Sequence, residues 1–281
     1  MRHRLTTSHG VTVSYTISGS GPTLVLVHGG FSDDVTNWEF IKPLLEDRFT
    51  LCAVARRGRG ETDATEGHSI EDEARDVASV IETLREPVFL LGHSYGAQCS
   101  LAAAAMVPNR VRKLILYEPP SPRTIYPDAL MRLEGLAEKG AWDELAFSFF
   151  KDCLHVPEAD LQQLRGTDLW PPIVADAKAS LGDLRAIARH DFRPERFKQL
   201  TCPVLLQTGS ESPGSLYSTD ALAACLPYVR VETLAGQAHE GMTTAPELYA
   251  ASVVRFLQFS FPEATEHTKS ERHQARGQQY Q

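Results

Sequence analysis

A serine lies between two glycines in the segment Gly92-His93-Ser94-Tyr95-Gly96, directly after the apolar run of residues 88–91. When a Gly-x-Ser-x-Gly segment connects a strand to a helix, it holds the serine on a strained turn and exposes the hydroxyl at the carboxyl edge of a sheet. A side chain at either glycine would clash where the strand and the helix converge. Residues 97–106 are small and apolar and end before Pro108, which predicts the required helix. Ser94 is therefore the candidate nucleophile.

A second glycine-rich turn, His28-Gly29-Gly30-Phe31, follows the apolar run of residues 24–27. A turn of this kind exposes backbone N–H groups, and two such groups that point to one atom can stabilise an oxyanion. The candidate donors are the N–H of Tyr95, directly after the serine, and the N–H of Gly30. Phe31 is the neighbouring alternative to Gly30.

The candidate base is His239, one of ten histidines in the chain. It lies in Gly236-Gln237-Ala238-His239-Glu240, between the last predicted strand and the last predicted helix. That position brings it to the sheet edge where we expect Ser94. A histidine that removes the proton of a serine hydroxyl is the central requirement of serine nucleophilic catalysis.

Strand-like and helix-like segments alternate in the first half of the chain, a pattern typical of a mostly parallel sheet with helices on both faces. The predicted strands cover residues 11–17, 24–27, 49–54, 88–91, 114–117, 204–208 and 229–234. Helical spacing of apolar residues predicts helices at 38–45, 70–84, 97–106, 221–226 and 247–259.

Between the two groups of strands, residues 126–197 contain only helical patterns, which predicts an all-helical insertion. The predicted organisation is a core of residues 1–120 and 198–260, with the helical insertion at 121–197. Residues 261–281 are polar and charged and are predicted to form a disordered tail.

The composition excludes several classes of function. A net charge of −8 and a pI near 5.7 argue against nucleic-acid binding, which needs a basic surface. The sequence shows no membrane-spanning run, no phosphate-binding loop and no metal-ligand cluster. Five widely spaced cysteines without a Cys-x-x-Cys pair are typical of a reducing compartment. We therefore expect a cytoplasmic protein with no cofactor, no metal, and neither a nucleic acid nor a membrane as partner.

The chain resembles the α/β-hydrolase family over about residues 8–260. The resemblance rests on four segments, namely His28-Gly29-Gly30, Arg57-Gly58-Arg59-Gly60-Glu61-Thr62, Gly92-His93-Ser94-Tyr95-Gly96 and Gly236-Gln237-Ala238-His239. It implies an α/β fold with an eight-stranded, mostly parallel sheet flanked by helices, and an all-helical cap inserted after the sixth strand. It also implies a triad of serine, histidine and an acid.

Two positions depart from the family pattern. Ala55 replaces an aspartate at the start of the turn before Arg56, where the usual residue has a structural role. Ser212 occupies the position after the seventh strand where the family usually has the triad acid. Glu118, at the end of the predicted strand next to the Ser94 strand, is the preferred replacement, as in some dehalogenases of the family. Glu211 is the alternative acid.

These observations predict a serine hydrolase that cleaves a carboxylic ester, thioester or lactone. The alternatives are a cofactor-free lyase or cyclase, a C–C hydrolase, a perhydrolase, or a binding protein without turnover. The insertion also contains an aromatic stripe of Phe147, Phe149, Phe150 and Trp170. If the stripe faces the site, it favours a small-molecule substrate with an apolar group. Alternatively, it seats the insertion on the core. The oligomeric state, including a homodimer, is left open.

Overall fold

The strands form one mixed sheet in the computed structural model, which describes residues 1–258. They are β1 (Arg2–Thr6), β2 (Thr12–Gly19), β3 (Thr23–Val27), β4 (Thr50–Ala55), β5 (Val88–His93), β6 (Val111–Tyr117), β7 (Val204–Gly209) and β8 (Val229–Leu234). Their spatial order is β1-β2-β4-β3-β5-β6-β7-β8. The pairs β1–β2 and β2–β4 are antiparallel and the other pairs are parallel. The predicted eight-stranded, mostly parallel sheet is confirmed, and the predicted tail lies outside the described residues.

Helices cover both faces of this sheet. They are α1 (Lys42–Leu45), α2 (Ile70–Thr83), α3 (Tyr95–Met106), α4 (Pro127–Glu138), α5 (Trp142–Ser148), α6 (Glu158–Arg165), α7 (Trp170–Arg189), α8 (Thr219–Cys225), α9 (Gly241–Thr244) and α10 (Pro246–Gln258). Helices α4 to α7 lie between β6 and β7 and are called the inserted helices below. Among the helices of residues 1–258, none has the length and apolar composition needed to cross a bilayer.

Alternating residues of the central strands contribute to two separate apolar clusters. Val25 and Val27 of β3 pack with α2, α3 and the inserted helices. Leu24 and Leu26 of the same strand pack on the opposite face, with α1 and α10. Successive side chains of a strand point to opposite faces of the sheet, so a strand covered by helices on both sides needs a continuous apolar run.

Two elements differ from the sequence prediction. Strand β1 was missed because it is a half-exposed, charged edge strand that depends on its pairing with β2. The continuous helix predicted over 38–45 is wrong, because the structure has a short 3₁₀ turn at Thr36–Trp38 and begins α1 at Lys42. Pro43 lies in the first turn of α1, where a residue without an N–H group is tolerated, and it would disrupt a helix running through it.

The order of the strands determines where the candidate residues meet. The chain passes from β3 to β4, which pairs with one edge of β3, and then to β5, which pairs with the other edge of β3. The carboxyl ends of parallel strands at such a switch point form a crevice where open α/β sheets bind ligands. The turn after β3, with Gly30, and the turn after β5, with Ser94, are therefore neighbours at this edge.

Candidate active site

The candidate nucleophile forms the turn between β5 and α3 by itself. Strand β5 ends at His93, helix α3 begins at Tyr95, and Ser94 between them has φ 52° and ψ −123°. Residues other than glycine rarely adopt a positive φ, and such strain is concentrated at functional sites. The backbone N–H of Ser94 donates to the carbonyl oxygen of Tyr117 at 2.9 Å, which connects the turn to the end of β6.

The glycines on both sides of Ser94 are required by the packing. A Cβ on Gly92 would lie 2.5 Å from the carbonyl oxygen of Gly96 and from Ser100 Oγ. A Cβ on Gly96 would lie 2.3 Å from the carbonyl oxygens of Val27 and His28. These distances are far shorter than a van der Waals contact, so a side chain at either position would separate α3 from the sheet.

The candidate base and an acid are in direct contact. His239, in the loop after β8, has its Nδ1 2.6 Å from Oε2 of Glu118, the residue directly after β6. The Glu118 side chain is fully buried, and 12% of the His239 side chain is exposed. Glu118 also has a positive φ of 48°. Tyr117, whose backbone carbonyl oxygen accepts the Ser94 N–H, has its ring centroid 6.4 Å from that of His239, so both candidate residues contact the end of β6.

The carboxyl end of β7 supplies hydrogen bonds to the Glu118 carboxylate. Its Oε1 accepts from the backbone N–H of Gly209 at 2.7 Å and from the hydroxyl of Thr208 at 3.2 Å. Burial raises the pKa of Glu118, but the hydrogen bond and charge of His239 outweigh it, with smaller contributions from Ser212 and Gly209. The pKa of Glu118 is therefore below its usual range, and the carboxylate is ionised at neutral pH.

The same contact changes the pKa of His239. Burial lowers the pKa of His239, while the hydrogen bond and charge of Glu118 raise it, and the net effect is an increase. An ionised carboxylate accepts the Nδ1–H proton, which leaves Nε2 as the basic atom of the neutral ring. This is the tautomer required to remove a proton from a serine hydroxyl.

The alternative acid lies elsewhere. Glu211 is exposed, and its Oε1 accepts from the hydroxyl of Ser210 at 2.8 Å. Its backbone N–H donates to Gln237 at 2.9 Å. The structure therefore brings Glu118 to His239 and places the Glu211 carboxylate in a separate contact at the surface.

The turn after β3 is called the oxyanion loop below and comprises residues 28–31. The N–H of Gly29 donates to Asn37 Oδ1 at 2.9 Å, and the N–H of Phe31 donates to Ser180 Oγ at 2.6 Å. Within residues 1–258 the N–H groups of Gly30 and Tyr95 have no hydrogen-bond partner. The two predicted donors thus have no protein partner, whereas the N–H of the alternative donor, Phe31, binds Ser180 of α7.

Buried charges hold this loop from behind. Arg56 Nε donates to the carbonyl oxygen of His28 at 2.9 Å, and Nη2 donates to that of Gly29 at 2.8 Å. The Arg56 guanidinium also binds Glu73 on α2 and Asp183 on α7, at 3.1 and 2.6 Å. Strong hydrogen bonds to ionised groups are expected to keep the loop in one conformation.

The ring of His28 is part of the same support. Its Nε2 accepts from the N–H of Arg56 at 3.1 Å, so Nδ1 carries the proton and donates to Gly29 at 2.7 Å. Burial, followed by the charges of Arg56 and Arg59, holds the pKa of His28 well below its usual value. His28 is therefore neutral and structural.

The charges behind the loop balance one another, and this group is called the buried ion network. It comprises Arg56, Arg57, Arg59, His68, Glu73, Asp76, Asp176 and Asp183. His68 Nε2 lies 3.1 Å from Glu73 and 3.5 Å from Asp183. Burial lowers the pKa of His68, but these two carboxylates outweigh it and raise the pKa to about 10. With His68 protonated, four positive side chains face four carboxylates.

His68→Gln is expected to reduce the free energy of unfolding at neutral pH, since it removes one of the positive charges that face the buried carboxylates Glu73 and Asp183. The folded-state pKa of about 10 exceeds the reference value of 6.5. The stabilisation by His68 is therefore complete below pH 6.5 and disappears as the pH rises through 10, by up to about 5 kcal/mol. Urea denaturation of both proteins between pH 6 and 10 checks this. A stability difference that does not change with pH would contradict it.

Aromatic rings surround the candidate base and the oxyanion loop. The Tyr217 ring stacks on His239 with centroids 5.3 Å apart and an interplanar angle of 16°. On the other side, the Phe31 ring stacks on Phe149 at 4.6 Å and contacts Phe150 at 5.3 Å. Two members of the predicted aromatic stripe thus pack against the oxyanion loop. No local pattern in the sequence indicates that Tyr217 lies beside His239.

Two groups of side chains in the described chain place three candidate metal ligands within 4.8 Å of one another, namely His93, His239 and Glu240, and His68, Glu73 and Asp183. In the first group, His239 binds Glu118, and the ring nitrogens of His93 lie 3.0 Å from Asn37 Oδ1 and 3.1 Å from the His239 carbonyl oxygen. In the second group, Arg56 occupies both carboxylates. The histidines of both groups and the two carboxylates of the second group therefore already have protein partners.

Comparison with known proteins agrees with this arrangement. The chain belongs to the alpha/beta hydrolase family, whose sequence profile matches residues 24–252. It is 30% identical over 269 residues to 2-(acetamidomethylene)succinate hydrolase of Mesorhizobium japonicum, covering 88% of this chain and 92% of that protein. An alpha/beta hydrolase from Sphaerobacter thermophilus matches with a TM-score of 0.79 and 29% identity, over 91% of this chain and 100% of that chain.

The fold is also shared with more distant enzymes. The enol-lactonase of Burkholderia xenovorans has a TM-score of 0.75 and 21% identity, over 92% of this chain and 100% of that chain. At this identity the similarity concerns the fold alone. The family and the 30%-identical relative together support hydrolase activity.

Proposed function

We propose that the protein hydrolyses a carboxylic ester, thioester or lactone through a covalent acyl-enzyme on Ser94. The observation that carries the proposal is the 2.6 Å contact between His239 Nδ1 and Glu118 Oε2, at the same sheet edge as the strained Ser94 turn. A buried, ionised carboxylate that orients a histidine at the same sheet edge as a half-buried serine on a strained turn is the arrangement of a serine triad. The unoccupied N–H groups of Gly30 and Tyr95 complete it as an oxyanion hole.

In the proposed reaction, Ser94 Oγ attacks the substrate carbonyl carbon and His239 Nε2 accepts the hydroxyl proton. Glu118 stays ionised and stabilises the imidazolium through Nδ1–H. The carbonyl oxygen becomes an oxyanion bound by the N–H groups of Gly30 and Tyr95. Collapse of this intermediate breaks the bond to the alcohol, thiol or enol, which takes the proton from His239. Water then hydrolyses the acyl-enzyme by the same steps in reverse order.

The inserted helices are proposed to form a cap over this site. The cap is then the predicted segment 121–197, and it covers the predicted core of residues 1–120 and 198–260. The stacking of Phe149 on Phe31, next to Gly30, supports this position. Aromatic side chains beside the oxyanion loop favour a small-molecule substrate with an apolar group. They also seat the insertion on the core, so both interpretations of the aromatic stripe are retained.

An amide is the second candidate substrate class. It is favoured by the 30% identity to 2-(acetamidomethylene)succinate hydrolase, whose name describes a substrate with an acetamido group. The same nucleophile, base and oxyanion hole act on amides and esters, because both pass through a tetrahedral intermediate. A panel of matched esters and N-acyl amides distinguishes the two candidates.

A cytoplasmic location is part of the proposal. All five cysteines lie within the described residues and are free thiols. Free and mostly buried thiols are common in reducing compartments, where disulfides are rare. The oligomeric state and the absence of nucleic-acid and membrane partners stay predictions.

Fluorophosphonate labelling tests the proposed function without knowledge of the substrate. We expect one adduct per chain, mapped to the peptide that contains Ser94, because the reagent reacts with serines activated by a base and an oxyanion hole. Ser94→Ala is expected to remain unlabelled. Correctly folded wild-type protein without an adduct would contradict the proposal, and would favour non-covalent catalysis or ligand binding without turnover.

A further inference from the structure

The contact between the oxyanion loop and α7 is built from buried polar groups. Ser180 on α7 has no exposed surface, and its hydroxyl accepts the Phe31 N–H at 2.6 Å. The same oxygen accepts from Arg59 Nη2 at 3.0 Å and donates its proton to Asp176 at 2.7 Å. Because these three partners use the hydroxyl fully, its orientation is determined by the protein.

The bond to Phe31 acts at a strained point of the chain. Phe31 has a φ of 56°, which a residue with a side chain rarely adopts. Such a conformation persists only when the surrounding structure holds it. Ser180 binds the N–H of this residue, and the adjacent N–H upstream is the unoccupied donor of Gly30.

Helix α7 also lies directly behind Gly30. A Cβ on Gly30 would lie 3.5 Å from Asp183 Oδ2 and 3.6 Å from Ser180 Oγ. Asp183 in turn binds Arg56, which holds the carbonyl oxygens of His28 and Gly29. The inserted segment thus contacts the oxyanion loop through Ser180 directly and through Asp183 and Arg56 indirectly.

From these contacts we infer that Ser180 is a positioning residue of the oxyanion hole. It binds the Phe31 N–H, and thereby orients the preceding Gly30 N–H toward the substrate oxygen as the donor. The inserted helix α7 is then part of the machinery that stabilises the oxyanion, in addition to covering the site. This inference rests on the proposed function, since it assigns Ser180 a role in the same site.

The test compares Ser180→Ala with Ser252→Ala. Ser252 is a matched control, because it is equally buried and its hydroxyl accepts from Gln207 Nε2 at 2.8 Å on the other side of the sheet. For Ser180→Ala we expect kcat to fall about 10-fold to 100-fold with KM nearly unchanged, since a small displacement of a donor mainly affects the transition state. The affinity for a trifluoromethyl ketone, whose adduct with Ser94 carries an oxyanion, is expected to fall by a similar factor. Ser252→Ala should leave both quantities unchanged.

Amide hydrogen exchange provides a second measurement that needs no activity. The peptide that contains the Phe31 N–H is expected to exchange faster in Ser180→Ala than in the wild type, and at the wild-type rate in Ser252→Ala. Unchanged exchange, or unchanged kcat and inhibitor affinity in a folded variant, would overturn the inference. A wild-type protein without a fluorophosphonate adduct would overturn the proposed function instead, and the exchange measurement alone would then decide whether Ser180 holds the loop.

Discussion

Ser94→Ala is expected to reduce the turnover of an ester substrate by roughly 10⁴-fold or more, the scale seen when the nucleophile of a serine triad is removed. The physical reason is that the covalent acyl-enzyme cannot form without the hydroxyl. Because alanine keeps the Cβ and the backbone, the strained turn at φ 52° should be retained. Steady-state kinetics with the best substrate of an ester panel provide the measurement.

Ser79→Ala is the matched control for this variant. Ser79 is a half-exposed residue of α2 whose hydroxyl donates to the carbonyl oxygen of Arg75, away from the site. The Ser79→Ala variant should turn over the substrate at the wild-type rate. Retained turnover in Ser94→Ala would contradict the acyl-enzyme mechanism and would favour a lyase, a cyclase or another reaction that uses the pocket without the nucleophile.

Glu118→Gln is expected to lower kcat by roughly 10²-fold to 10⁴-fold. The amide has nearly the shape of the carboxylate but cannot stabilise the imidazolium that forms when His239 takes the serine proton. Glu118 raises the pKa of His239 through a hydrogen bond and its charge. The acid limb of the kcat/KM profile should therefore shift to lower pH in this variant, since the histidine loses its proton more easily. Measurement of kcat/KM between pH 4 and 9 tests both effects.

Glu211→Gln is the matched control, because it removes the other candidate carboxylate. Glu211 is exposed and binds Ser210, so we expect unchanged kinetics and an unchanged pH profile. The assignment would be reversed by the opposite result, in which Glu211→Gln loses activity and Glu118→Gln retains it. Thermal unfolding of both variants shows whether a loss of activity reflects a loss of folded protein.

Local patterns were sufficient for much of the fold. The apolar runs at residues 24–27 and 88–91 are typical of strands buried on both faces, and β3 and β5 are buried in this way. The spacing of apolar residues predicts a helix over 70–84, within a residue of α2, and the structure adds a capping box of Ser69 and Asp72 at its start. In contrast, β1 forms only through its pairing with β2. The apolar spacing of residues 38–45 predicts one helix, but Pro43 is compatible only with the first turn of a helix, and α1 begins at Lys42.

The sequence alone identified the segments whose chemistry depends on residues adjacent in the chain. The turn around Ser94 and the glycine-rich turn after β3 are local structures, so their chemistry can be inferred from a few adjacent residues. His239 was identified by its position between the last strand and the last helix. For the acid the sequence favours Glu118 and leaves Glu211 as the alternative, because both follow predicted strands at the same edge of the sheet.

Only the tertiary structure decided which distant groups meet. The contact of His239 with Glu118 joins residues 121 positions apart, and the bond from Phe31 to Ser180 joins residues 149 positions apart. Such pairs depend on the order of strands in the sheet and on the placement of α7, which result from packing of the whole chain. A carboxylate or a hydroxyl has the same local pattern whether it lies at the surface or against the site, and only burial and partners distinguish the two.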